Sequence, residues 1–102
     1  MNMNEIMRQA REFQQKLSQV QSELAGRSVT ASAGGGMVSV TINGRCQLQS
    51  IHIAREVIKP EEQAMLHDLV MSAVNEGMQK AQDMAQAEMR KLTGGISIPG
   101  MF

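Results

Sequence analysis

Gly34-Gly35-Gly36 stands beside an alternating apolar run, and backbone N–H groups of such a glycine run can cradle a phosphate. A Walker loop, however, needs Gly-Lys-Ser/Thr so that a lysine meets the phosphates, and Met37-Val38 follow here. A dinucleotide fingerprint needs its glycines to open a helix, whereas these lead into another strand. The favoured reading is a strand connection that uses the conformational freedom of glycine. The remaining reactive side chains are sparse. His52 alternates with Ile51 and Ile53, which predicts an exposed position on the opposite face of a strand. His67 is followed by Asp68, but adjacent helical residues do not share a face, and its face neighbours are not usual zinc ligands. Cys46, the only cysteine, reads as a small buried strand residue and excludes an internal disulfide. The sequence therefore predicts no catalytic residues, no metal site, no cofactor and no small-molecule substrate.

Basic residues carry more information. Arginine and lysine meet phosphates directly, and such contacts supply most non-specific affinity for nucleic acid. Ten basic and ten acidic residues give zero net charge, yet the charges are segregated along the chain. Residues 28–55 hold Arg45 and Arg55 with no acid, and residues 56–92 hold seven acids against Lys59, Lys80, Arg90 and Lys91. If the two helical segments run antiparallel, Arg8 and Arg11 meet the region of Lys80, with Arg90 and Lys91 at or beyond the tip. A neutral chain could thus present a basic end. The competing reading is an ordinary solvated helix surface. With no Trp, no Tyr and only two Phe, little is available to stack on unpaired bases, which favours duplex over single strand.

The elements that would hold these residues are legible from periodicity. Met3, Ile6, Ala10, Phe13, Leu17, Val20 and Leu24 step by threes and fours, predicting a helix over 3–25 with Gly26 as its stop. SVTASA, MVSVTI and RCQLQSIHI alternate as strands within 28–53. Asn43-Gly44 predicts a tight hairpin, with positive φ at both central turn residues. The apolar parity switches from Cys46 and Leu48 to Ile51 and Ile53, which predicts a bulge near Gln49-Ser50. Pro60, Glu61 and Glu62 suit a helix start, and an apolar face runs on to give a helix over 60–92. At 1.5 Å per residue that rod reaches about 45–50 Å, more than three strands can cover, so part of it must pack on the first helix or on a partner. Methionine at helical spacing reads as core or dimer seam rather than as an exposed peptide groove. Residues 93–102 read as a flexible tail. The prediction is one α+β domain over 1–102, ordered α-β-β-β-α, a three-stranded antiparallel meander flanked by two long helices. No apolar run approaches the length of a membrane span, and the chain reads as cytosolic with no membrane partner.

Taken together, AGGGMVSVTINGR, the stretch LHDLVMSAVNEGMQKAQ and the end KLTGGISIPGMF resemble the YbaB/EbfC family of bacterial nucleoid-associated proteins. Where that family often has Asp-Pro after the third strand, Ala54-Arg55 stands here. The resemblance implies a tweezer-like homodimer with helical arms on a joined sheet core. It also implies binding of double-stranded DNA with little or modest sequence preference, a place in the nucleoid with influence on gene expression, and no enzyme activity. On this chain the arms would contribute Arg8, Arg11, Lys16, Lys80, Arg90 and Lys91. The alternative from another class is a structural adaptor or small prefoldin-like chaperone that works through its helical arms.

Overall fold

The computed structural model of the chain describes residues 2–93. Its elements run α1 (Met3–Ala25), β1 (Ser28–Ala33), β2 (Val38–Asn43), β3 (Leu48–Ile53), two 3-10 turns (Arg55–Val57 and Pro60–Glu62) and α2 (Gln63–Leu92). The order is the predicted α-β-β-β-α. Asn2 starts α1, its Oδ1 accepting the Glu5 N–H at 2.8 Å and so satisfying one orphan donor of the first turn. Gly26 ends it, its N–H returning to the Glu23 carbonyl and the Arg27 N–H to that of Leu24.

The strands form one antiparallel sheet in the order β1-β2-β3. Register pairs Ala31 with Val40, and Val40 in turn with Ile51, so the apolar residues of all three strands share one face. Val38, Val40, Ile42 and Ala31 are buried there. Between Thr41 and Ile42 the β2–β3 register slips, because Thr41 pairs with Ser50 and Ile42 with Leu48. Gln49 is thus the extra residue of the predicted bulge, and it returns Leu48 to the same face as Ile51.

Both corners are built by specific residues. Gly34, Gly35 and Gly36 all have positive φ (65°, 67° and 96°), so the glycine run turns the chain from β1 to β2 as expected. The second hairpin forms where predicted but by a different device. Gly44 has no positive φ, and that conformation falls on Cys46 instead, at 61°. Asn43 organises the loop: its buried Oδ1 accepts the Arg45 and Gln47 N–H groups at 3.0 Å each, and its amide donates to Gln47 Oε1 at 2.8 Å. Cys46 therefore sits half-buried in a loop rather than in a strand. Gly44 is needed for space: its N–H donates to both the Leu24 and Arg27 carbonyls, and a Cβ there would lie 2.6 Å from the Leu24 oxygen.

α2 lies across β1 and β2 through Ala73, Gly77 and Ala81, all buried. Its lead-in differs from the predicted continuous helix from Pro60. Pro60–Glu62 is a separate 3-10 turn, Glu62 has non-helical dihedrals, and α-helix begins only at Gln63. The preceding turn, Arg55–Val57, places Val57 in the interior at 1% exposure. The C-terminal part of α2 overruns the sheet and packs beside the end of α1, as its length requires. Of the predicted tail, only Thr93 is described, where it caps α2 through the Met89 carbonyl; the rest lies outside the described residues.

Gly44→Ala is expected to lower stability by about 1–3 kcal/mol, because the new methyl meets backbone that cannot move aside. Urea unfolding checks this, with a lower midpoint and an unchanged slope as the expected result.

Candidate nucleic-acid interface

The first half of α1 is an arm. Every residue from Asn2 to Lys16 is exposed, and contact with the body begins only at Leu17, Val20 and Leu24. Fourteen residues of helix project about 20 Å before the first such contact. The described backbone accordingly measures 69 Å along one axis against 22 and 17 Å across it. Met3, Ile6, Ala10 and Phe13, four of the seven residues of the periodic seam, are left uncovered.

Helical spacing puts Arg8 and Arg11 on the side of the arm opposite this seam, with Lys16 on its flank. The Arg8 guanidinium reaches Glu12 at 4.0 Å, a solvated pair one turn apart that contributes little stability. Arg11 and Lys16 make no ion pair among the described residues.

The expected clustering of Lys80 with Arg8 and Arg11 does not occur. Lys80 lies where α2 crosses β1, and its Nζ donates to the Thr30 carbonyl at 3.0 Å while Glu76 stands at 3.8 Å. Its position follows from α2 resting on the sheet at Gly77, one turn away, rather than leaving it earlier. The ammonium thereby blocks the outer edge of β1. Arg90 and Lys91 are exposed at the end of α2, beside the anchored half of α1 rather than at the tip of the arm.

Glu88 ties this root together. Its Oε1 accepts from Arg27 at 2.8 Å and from Lys91 at 3.1 Å, linking the α1–β1 junction to α2. Hydrogen bonds from Lys91 and then Arg27 hold its carboxyl below the ordinary value. Arg45 lies in the same region, lining a groove with Leu17, Leu24, Ala85 and Met89. Neither Arg27 nor Arg45 was among the basic residues assigned to the arms. The acid-free run over 28–55 was the signal that could have drawn attention to Arg45 and, just before the run, to Arg27.

The histidines are exposed on different elements, His52 on β3 and His67 on α2, as their spacing suggests. Among the described residues no group of three or more His, Cys, Asp or Glu gathers in a metal-binding arrangement. Nor is any described helix long and apolar enough to cross a membrane.

The second unpartnered surface belongs to β3. This strand is an edge, α2 does not cover it, and Leu48 and Ile51 stay 47% and 44% exposed on the apolar face. Met71 on α2 is also open, at 56%. Methionine thus divides: Met89 is buried, whereas Met3, Met7, Met37, Met65 and Met71 are exposed on the single chain.

The sequence pattern of the YbaB/EbfC DNA-binding family matches residues 1–96. A nucleoid-associated protein of Clostridium kluyveri is 48% identical over 101 residues, covering 99% of this chain and 89% of its own. One from Pelotomaculum thermopropionicum is 46% identical, covering 99% and 96%. The crystal structure of an uncharacterized Helicobacter pylori protein has the same fold, with a TM-score of 0.85 at 23% identity, over 92% of this chain and 99% of that one.

Because Glu88 is paired in the folded state, its carboxylate adds stability above the ordinary carboxylate range and loses it as pH falls through the lowered value. Glu88→Gln should therefore be less stable than the parent at neutral pH, with the gap closing in acid. Urea midpoints measured down a pH series check this, and equal midpoints throughout would contradict it.

Proposed function

The chain belongs to the YbaB/EbfC DNA-binding family, and from that premise we propose that it binds duplex DNA as a homodimer with little or modest sequence preference. In this reading the basic residues of the arm and its root hold phosphates, and the protein organises the nucleoid and influences gene expression. The observation that carries it is the projecting half of α1, whose face away from the apolar seam bears Arg8 and Arg11. Arginine on a freely approachable rod can follow a phosphate backbone, and phosphate contacts carry no sequence information directly. Lys16, Arg90 and Lys91 extend the same cationic set toward the body. Lys80 and Lys91 are the weaker members, since one ammonium is already held at β1 and the other by Glu88.

Dimerisation is supported by the contrast between the two sheet edges. Lys80 blocks β1, while β3 offers an open strand with Leu48 and Ile51 beside it. A second copy set against β3 would cover those side chains and double the number of arms. The exposed apolar residues of the arm, Met3, Ile6 and Phe13, also suit the adaptor or small-chaperone reading. Suppression of a model substrate's aggregation that survives Arg8→Glu with Arg11→Glu would favour it.

A mobility-shift titration across salt tests the main reading. Affinity should fall steeply as salt rises, and Arg8→Ala with Arg11→Ala should flatten the log–log slope by about two, one for each lost phosphate contact. No duplex binding at low salt by a verified dimer would contradict it. Ile51→Glu is expected to shift the sedimentation coefficient from dimer to monomer at micromolar concentration, and an unchanged dimer would move the interface elsewhere.

A further inference from the structure

The apolar seam of α1 outlasts its cover. Leu17 and Leu24 line a groove with Ala85 and Met89 of α2. Beyond them Met3, Ile6, Ala10 and Phe13 carry the same three-and-four stepping out into solvent. A stripe with that period fits another helix in particular, because each side chain enters a hole between four residues of the facing helix. The positions flanking the open stripe are Met7, Gln9 and Gln14, none of them charged. Glu5, Arg8, Arg11 and Glu12 lie farther round the helix, and Lys16 flanks the seam only past Phe13. Charges beside a seam select a partner of different sequence and repel a wrong one. Here nothing beside the open stripe repels an identical arm.

We propose that the exposed seams of two copies of this chain pair antiparallel, arm against arm. Reversing one helix sets Met3 of one copy against Phe13 of the other, and Ile6 against Ala10. The volumes then complement one another, a branched side chain facing a methyl and a thioether facing an aromatic ring. Parallel pairing would instead stack Ala10 on Ala10 and Phe13 on Phe13, leaving a gap in one layer and crowding another. It would also bring the two bodies together at the roots of the arms, whereas antiparallel arms keep them at opposite ends. The overlap is about 15 Å of helix, so the contact is weak between free molecules and effective where copies are held close together. Pairing uses neither DNA nor the edge of β3. Arg8 and Arg11 stay on the outside of the pair, so phosphate contact and pairing are compatible. Where the chain is a dimer through β3, as read above, two arms on each dimer link dimers into open chains.

Disulfide coupling tests this, in a Cys46→Ser background so that only introduced thiols react. Ile6→Cys protein mixed with Ala10→Cys protein should form the mixed disulfide about tenfold faster than either protein couples with itself, because pairing raises the effective concentration of those two thiols alone. Gln15→Cys, on the outer side of the arm, mixed with Ala10→Cys gives the collisional rate. Adding Phe13→Ser to both partners should return the mixed rate to that collisional value. All the exchanged arm residues are exposed on the single chain, and circular dichroism verifies that each variant keeps its helix content. Mixed coupling no faster than the collisional rate, or unaffected by Phe13→Ser, overturns the proposal and leaves the seam to another occupant, such as the unfolded substrate of the chaperone reading. Faster coupling of Ala10→Cys with itself overturns the antiparallel arrangement. No DNA is present in the assay, so either failure leaves the DNA-binding reading to its own salt titration.

Discussion

The distance between α2 and the sheet is set at Gly77, and the accessible surfaces of this protein follow from that contact. A Cβ at Gly77 would stand 2.7 Å from Ile42 Cδ1 and 3.0 Å from Val40 Cγ2, so the helix backbone itself rests on the sheet. Ala73 and Ala81, one turn to either side, keep the approach close. Glycine inside a helix costs about 0.5–1 kcal/mol relative to alanine, and the burial of Val40 and Ile42 beneath it offsets that cost. A helix seated this deeply over β1 and β2 has no reach left for β3. It leaves the apolar edge of β3 open and puts the acids of α2 on one side of the sheet.

A second close approach turns the rest of the chain into an arm. Gly44 brings the β2–β3 corner against the last turn of α1, where one N–H serves both the Leu24 and Arg27 carbonyls. Those are carbonyls at a helix end and just beyond it, which otherwise look to water for partners. Leu24, 4% exposed, is the buried anchor of the junction, and Glu88 adds the ionic link through Arg27. With its C-terminal end fixed there, α1 points away from the sheet and carries Arg8 and Arg11 clear of the acids of α2. The glycines thus act here through backbone approach and chain reversal.

Elements whose signal is local were readable from the sequence. The three-and-four stepping of Met3 to Leu24 located α1, and alternation located the strands. The parity switch at Leu48 and Ile51 located the bulge at Gln49, because a face change in a strand has few other causes. What could not be read depended on contacts between distant residues. The second hairpin formed at Asn43-Gly44, but its geometry is governed by the Asn43 side chain and by Leu24, twenty residues earlier. Pro60 suited a helix start, and nothing local revealed that Glu62 would interrupt it. Lys80 looked like an arm residue until the seat of α2 at Gly77 placed it against Thr30. The same limit applies to the interface: charge segregation was visible along the chain, but the pairing of Arg27 with Glu88 follows only from the packing of α2 beside the α1–β1 junction.

Zero net charge need not oppose DNA binding when like charges are grouped in space, because screening confines each group's influence to about 10 Å at 0.1 M salt. A phosphate backbone approaching the arm meets Arg8 and Arg11 before it meets a carboxylate of α2. The most direct measurement is a residue-by-residue map of amide chemical-shift changes in the isotopically labelled protein on adding a short duplex at low salt. Changes concentrated in the first half of α1 are expected, with the outward side of α2 around Asn75 and Gln79 unmoved. Changes centred on that side of α2, or spread evenly over the whole surface, would contradict DNA binding through the arm.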